Sequence, residues 1–216
     1  MQRQTLLDAL PILAKFLGRK LGVDVVIGAE RAQTDGRTIY LPALPAADAA
    51  AWILANGFLD HEGAHLRHTD FDAARPATPL GRTLARILED VRIEAALGRE
   101  LPGCRDNLAR LVDHLVAQGD FWAVPEADWP PVRQVQAYLL YRLRADVLGQ
   151  TALGPLADQA EALLRQALPA GVMVKLAALA FEVRHLSSTA AVVDLAERIQ
   201  RMFAAAEAES PPNAAD

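Results

Sequence analysis

The sequence predicts an α+β chain that is predominantly α-helical, with one small antiparallel sheet, and three observations carry this. Alanine supplies 42 of the 216 residues, and alanine is the best helix former because it loses no side-chain freedom in a helix. Apolar residues recur at helical spacing, as at Leu6, Leu10, Leu13, Phe16 and Leu17, the mark of one buried helix face. β-Branched residues cluster only in residues 23–41, which is room for two short strands.

Composition also sets limits. The lone cysteine, Cys104, excludes an internal disulfide framework and a multi-cysteine metal cluster. No uncharged run of about 18 apolar residues occurs, so no membrane span is expected. Met1–Asp8 holds no long apolar stretch before its first acid, so no secretory signal is expected and the cytoplasm is the expected location. The net charge is −5. Arg82, Arg86, Arg92 and Arg99 fall together, but acids are interleaved and no aromatic platform accompanies them, so nucleic acid is not an expected partner.

Taken in order, Thr5 can cap a first helix that Gly18 and Gly22 close. Val23–Ile27 and Arg37–Leu41 read as two strands of a hairpin with its loop at residues 28–36, Asp35-Gly36 supplying a tight turn and Pro42 ending the ladder. A long helix follows Pro45, from about Ala46 to His68. Gly57 and Gly63 lie inside it, where each costs about 1 kcal/mol relative to Ala, so close packing or room for a ligand must account for them. Residues 69–78 form a loop. Thr78 caps, and Pro79 opens, a second long helix to about Leu97, with Gly98 and Pro102 ending it. Helices are expected at 105–117, 132–148, 155–167, 171–185 and 188–207, with an ordered loop at 119–131 carrying Trp122 and Trp129. The organisation expected is a metal-binding core over residues 1–100, a helical extension packed on it over 101–206, and a linker-like tail over 207–216, as in a piece of a longer protein.

The chemistry lies in His61-Glu62-Gly63-Ala64-His65, an H-E-x-x-H motif on the first long helix. Residues i and i+4 differ by about 40° around a helix and about 6 Å along it. Two imidazoles at that spacing can reach one zinc ion at about 2.0–2.1 Å. Glu62, about 100° round, is placed to take the proton from a metal-bound water as a general base. A catalytic zinc needs a third protein ligand. His68 lies about 10.5 Å from His61 along the axis, too far for one helix to wrap three imidazoles round one ion. His114, His185, Cys104, Asp70 and Asp72 are weaker candidates. The strongest lie in Leu88-Glu89-Asp90-Val91-Arg92-Ile93-Glu94, where apolar residues cover most of the circumference and buried acids need a partner or a metal. Glu89, 24 residues after His65, is the leading candidate, with Glu94 and Asp90 as alternatives. The acids not used would orient the histidines as hydrogen-bond acceptors.

Tyr40-Leu41-Pro42-x-Leu44-Pro45, Gly57-x-x-x-His61-Glu62-x-x-His65-x-x-x-Thr69-Asp70-Phe71 and Leu88–Glu94 together resemble the N-terminal region of bacterial and phage proteins related to the cobaltochelatase subunit CobT. Those proteins are larger chains that end in a von Willebrand A domain and are often encoded beside a MoxR-type AAA+ ATPase. Members with H-E-x-x-H look like gluzincin-type metallopeptidases. The resemblance implies a zincin-like core, Glu89 as the zinc-ligand glutamate, and the ATPase and von Willebrand A domain as partners. It covers roughly residues 40–95, and no von Willebrand A domain lies within these 216 residues.

Two functions are therefore expected. The first is a zinc-dependent peptidase in which His61, His65 and Glu89 hold Zn2+, Glu62 is the base, and the strand at 38–41 aligns a peptide or protein substrate. Tyr40 or His68 would stabilise the oxyanion. The alternative is a non-catalytic zinc-containing interaction module of a chelatase-like assembly, with Trp122 and Trp129 as candidate anchors for a partner.

Overall fold

Prolines and the Thr78 cap mark several helix starts, but Thr5 does not cap the first helix, which already begins at Arg3, and the fourth begins at Pro102, three residues before its expected start. In a computed structural model of the chain, residues 3–19, 23–43 and 49–209 are described. The expected stop at Gly22, the expected start at Ala46 and the tail from 210 lie outside them. Helix α1 spans Arg3–Gly18, α2 Ala49–His68, α3 Pro79–Glu100 and α4 Pro102–Gln118. After the loop at 119–130 come α5 (Pro131–Leu148), α6 (Gly154–Ala167), α7 (Ala170–Phe181) and α8 (Thr189–Glu209), with short 3-10 turns before α6 and after α7. The described residues are predominantly helical. Thr78 Oγ1 accepts from the Gly81 amide at 2.9 Å, and Pro79 occupies the first position, where its missing N–H costs nothing. Gly98 does not end α3. The helix runs on to Glu100, and a Cβ at Gly98 would lie only 3.1 Å from Arg105 Cβ, so glycine lets α4 turn back closely.

The sheet departs from the expected antiparallel pair. It is mixed, with β1 (Asp24–Ala29), β2 (Gln33–Thr34) and β3 (Thr38–Pro42) in the order β1-β3-β2. The Asp35-Gly36 turn does form, with Gly36 at φ +92 and Asp35 Oδ1 accepting from the Arg37 and Thr38 amides at 2.8 Å. So tight a turn can pair β3 only with the residues just before it, which makes β2 its antiparallel partner. β1 is left with the other edge of β3, where it runs parallel, Val25 opposite Ile39 and Ile27 opposite Leu41. Alternation along β3 sends Ile39 and Leu41 fully into the interior.

Two hydrophobic cores result, and α3 serves both. Ile93 and Leu97 join Leu10, Ile39, Leu41 and Leu59 in the first. Leu84, Leu88 and Val91 join Tyr138, Tyr141 and Leu195 in the second. Leu10 and Leu17 of α1 are buried as their spacing implies, but Leu13 and Phe16 remain exposed, because only a narrow face of α1 meets α2. Trp129 is buried in the second core under the Arg133 guanidinium, 3.8 Å from the ring centre, so it is not free to anchor a partner.

Both interior glycines of α2 are packing residues. A Cβ at Gly57 would press into Leu111 of α4, 2.8 Å from its Cδ2, and one at Gly63 would lie 2.8 Å from Leu17 Cβ of α1. The buried Ala55 and Ala64 lie on the same helix. Gly57→Ala is therefore expected to destabilise the protein by about 1–3 kcal/mol, the usual cost of overpacking, despite alanine's better helix propensity. Urea unfolding of the variant checks this, and equal or greater stability would show that α4 can move away freely.

Candidate metal centre

Helix α2 presents His61 and His65 one turn apart, with ring centroids 5.0 Å apart and the rings perpendicular. Helix α3 runs antiparallel beside it. Asp90 and Glu94, also one turn apart, therefore stand opposite the two imidazoles, Glu94 facing His61 and Asp90 facing His65.

Each imidazole is oriented through Nδ1. His61 Nδ1 lies 2.9 Å from Glu94 Oε1, a pure acceptor when ionised, so that nitrogen carries the proton. His65 Nδ1 lies 3.0 Å from Thr69 Oγ1. The one hydroxyl proton of Thr69 is donated to Glu89 Oε1 at 2.9 Å, so Thr69 must accept from His65 and this Nδ1 is protonated too. Nε2 is thus the ring atom each histidine can offer a cation, and His65 Nε2 lies 3.3 Å from Asp90 Oδ1. One donor atom each from His61, His65 and Asp90 lies within 4.8 Å of the others. A small inward movement of these side chains would bring all three within about 2.0–2.2 Å of one ion.

Glu89 is not in this group. Arg92 donates to its Oε2 through Nε at 2.8 Å and to its Oε1 through Nη2 at 2.7 Å, and the hydroxyls of Thr69 and Thr189 both donate to Oε1. With its oxygens committed, Glu89 serves as the terminal acceptor behind His65. Glu94 has the same role for His61. It accepts from both Arg144 guanidinium nitrogens, at 3.0 and 2.8 Å, and from Gln150 Nε2 at 3.0 Å. Neighbours on α3 point about 100° apart, and the rotation of that helix turns Asp90, not Glu89, toward the histidines.

The site is short of positive charge. Burial opposes a proton on His61, but its hydrogen bond to Glu94 and the carboxylates of Asp90, Glu94 and Glu62 outweigh this and raise its pKa to about 9. Burial pushes Glu94 up, and Arg144 and His61 more than reverse that, bringing it down to about 2. Asp90 is likewise held low, against burial, by its hydrogen bond with His65. Glu62 is buried, its pKa is raised chiefly by that burial, and among the described residues its carboxylate has no hydrogen-bond partner. Three carboxylates around two imidazoles, with one guanidinium behind, fit a divalent cation of the zinc type.

The centre opens on a cavity of about 560 Å³, lined by His61, Glu62 and Asp90 and walled by Phe58, Leu111 and Phe121. The segment at 30–32 and Pro42, not the middle of β3, border it. Tyr40 hydrogen-bonds to Asp35 Oδ2 at 3.4 Å instead of facing the cavity, and the His68 ring sits 3.8 Å from Glu100. Buried Cys104 neighbours Asp60, and its thiol is pushed up to about 12 by burial and by that acid. Asp70 Oδ1 accepts from the Asp72 amide in the loop, and neither His114 nor His185 belongs to the candidate metal-binding group of His61, His65 and Asp90. Arg144, Gln150 and Thr189 carry no motif, whereas Thr69 stands in the Thr69-Asp70-Phe71 stretch quoted above. The one signal available for Asp90 was its four-residue spacing to Glu94, which mirrors that of His61 and His65.

No helix among the described residues is long and apolar enough to cross a membrane. No curated protein and no solved structure matches the chain. The family model described as "Cobalamin biosynthesis protein CobT" matches residues 2–214, well beyond the stretch of residues 40–95 that carries the sequence motifs. Spanned by that family model over nearly its whole length, the chain belongs to the CobT family.

Proposed function

We propose that this chain is a zinc-bearing interaction module of a chelatase-like assembly, with His61, His65 and Asp90 as the zinc ligands and an AAA+ ATPase and a von Willebrand A domain as partners. The observation that carries this reading is where the centre's supports come from. Arg144, on α5, and Gln150, just after it, belong to the helical second half, Thr189 opens α8, and these residues support Glu94 and Glu89, where the two hydrogen-bond relays end. An ion held there fixes the two halves of the molecule against each other and so sets the surface offered to a partner. Membership of the CobT family supports the assembly role.

One observation favours a second reading, hydrolysis of peptide bonds. Glu62 is buried beside the histidines with its carboxylate unpaired and its pKa raised. A bound zinc would supply Lewis acidity toward a water or a carbonyl oxygen. Glu62 would take and return a proton at its carboxylate, Asp90 and the two imidazoles would hold the site's geometry, and the apolar wall of Phe58, Leu111 and Phe121 would exclude water.

The test compares wild type with Glu62→Gln and His61→Ala for zinc content, capture of the ATPase, and cleavage of unfolded protein substrates. The module reading expects one zinc per chain in wild type and in Glu62→Gln, equal capture by both, and loss of zinc in His61→Ala. Cleavage by wild type that falls by about 10²–10⁴ in Glu62→Gln would replace it with the peptidase reading.

A further inference from the structure

The first residue of α8 reaches the metal centre from a hundred positions away. Thr189 Oγ1 donates to Glu89 Oε1 at 2.8 Å and accepts from the Asp70 amide at 2.9 Å. The same Glu89 oxygen takes the Thr69 proton, and Thr69 in turn takes the His65 Nδ1 proton. The proton of each hydroxyl along this chain is committed to Glu89, so each hydroxyl has only one orientation. If Thr189 withdraws, Glu89 Oε1 keeps Thr69 and Arg92 but loses the donor that holds it from the far side, and the Asp70 amide loses its acceptor. The Thr69–Asp70 turn then loosens, and with it the acceptor that sets the His65 tautomer.

We propose that Thr189 is a positioning residue for the metal centre, coupling the seating of α8 on α3 to the affinity for the ion. The inference rests on the zinc-centre reading above. It gives that centre a regulatory contact, because a partner that draws on α8 changes ion affinity and, by reciprocity, ion binding changes how firmly the start of α8 is held. It holds whether the centre is hydrolytic or structural, since it concerns only the orientation of His65. Glu94 and Arg144, which orient His61, provide no such contact with α8.

The experiment measures zinc affinity of the full chain by competition with a chromophoric chelator, for wild type, Thr189→Val and Thr189→Ser. Valine keeps the shape and removes the hydroxyl, whereas serine keeps the hydroxyl. Thr189→Val is expected to bind zinc about tenfold more weakly, the lower end of what supporting residues around a metal contribute, and Thr189→Ser to bind within about twofold of wild type. A second measurement needs no variant: hydrogen exchange of wild type with and without zinc, in which the Asp70 amide and the first turn of α8 should slow by about the same factor as the affinity change. Equal affinity in Thr189→Val, equal weakening in valine and serine variants, or unchanged exchange on zinc addition overturns the inference. A wild type that binds no zinc overturns the zinc-centre reading itself, and the two failures are thus told apart.

Discussion

Asp90→Asn is expected to weaken zinc binding by more than about 100-fold, and Glu89→Gln by about 10- to 100-fold. The order follows from what each oxygen does. Asp90 offers a carboxylate oxygen within 4.8 Å of both imidazole donors, and an amide in its place contributes no charge and a poorer donor to the ion. Glu89 lies outside the proposed ligand group. Its carboxylate receives Thr69, Thr189 and Arg92, so its loss acts only through the orientation of His65, and supporting residues of this kind are worth about 10- to 100-fold in affinity. Equilibrium competition with a chelator measures both variants side by side. A larger loss in Glu89→Gln than in Asp90→Asn would restore Glu89, the residue the family resemblance favoured, as the third ligand.

The second large effect is on stability. Arg144→Met is expected to destabilise the protein by about 3–5 kcal/mol, the usual consequence of removing one partner of a buried ion pair and leaving the other charged and unpaired. Arg144 and Glu94 are both nearly inaccessible to solvent, and Glu94 remains ionised despite its burial mainly because of Arg144. Without the guanidinium, Glu94 keeps only Gln150 and His61 as donors. Adding Glu94→Gln to Arg144→Met should recover part of the loss, because a neutral amide tolerates the site better than a lone carboxylate. Urea unfolding of the zinc-free proteins measures both steps. A cost below about 1 kcal/mol in the single variant would mean that water reaches Glu94.

Much of this architecture is local and therefore legible in the sequence. Thr78-Pro79 starts α3 through chemistry contained in four residues, and His61 and His65 share a face by the pitch of one helix. The sheet was legible only in part. Asp35-Gly36 announces its turn, but which segments the turn joins depends on Gln33 and Thr34, two residues with no strand pattern of their own. Which acid stands in the proposed third-ligand place depends on the rotation of α3 about its axis. Glu89, Asp90 and Glu94 all sit among apolar neighbours, and only the simultaneous demands of two cores, Leu84 and Leu88 on one side and Ile93 and Leu97 on the other, decide which carboxylate faces α2. Arg144, Gln150 and Thr189 reach the centre across 50 to 100 residues, and no spacing rule connects residues so far apart.

A helix owned by two interiors has a thermodynamic consequence. Neither half of this molecule can melt while the other keeps its inner surface intact, since withdrawing α3 from one side exposes apolar residues that the other side still needs in register. Unfolding is therefore expected to be a single concerted event, and an ion bound at the proposed centre on α2 and α3 would stabilise helices as distant as α8 against the same transition.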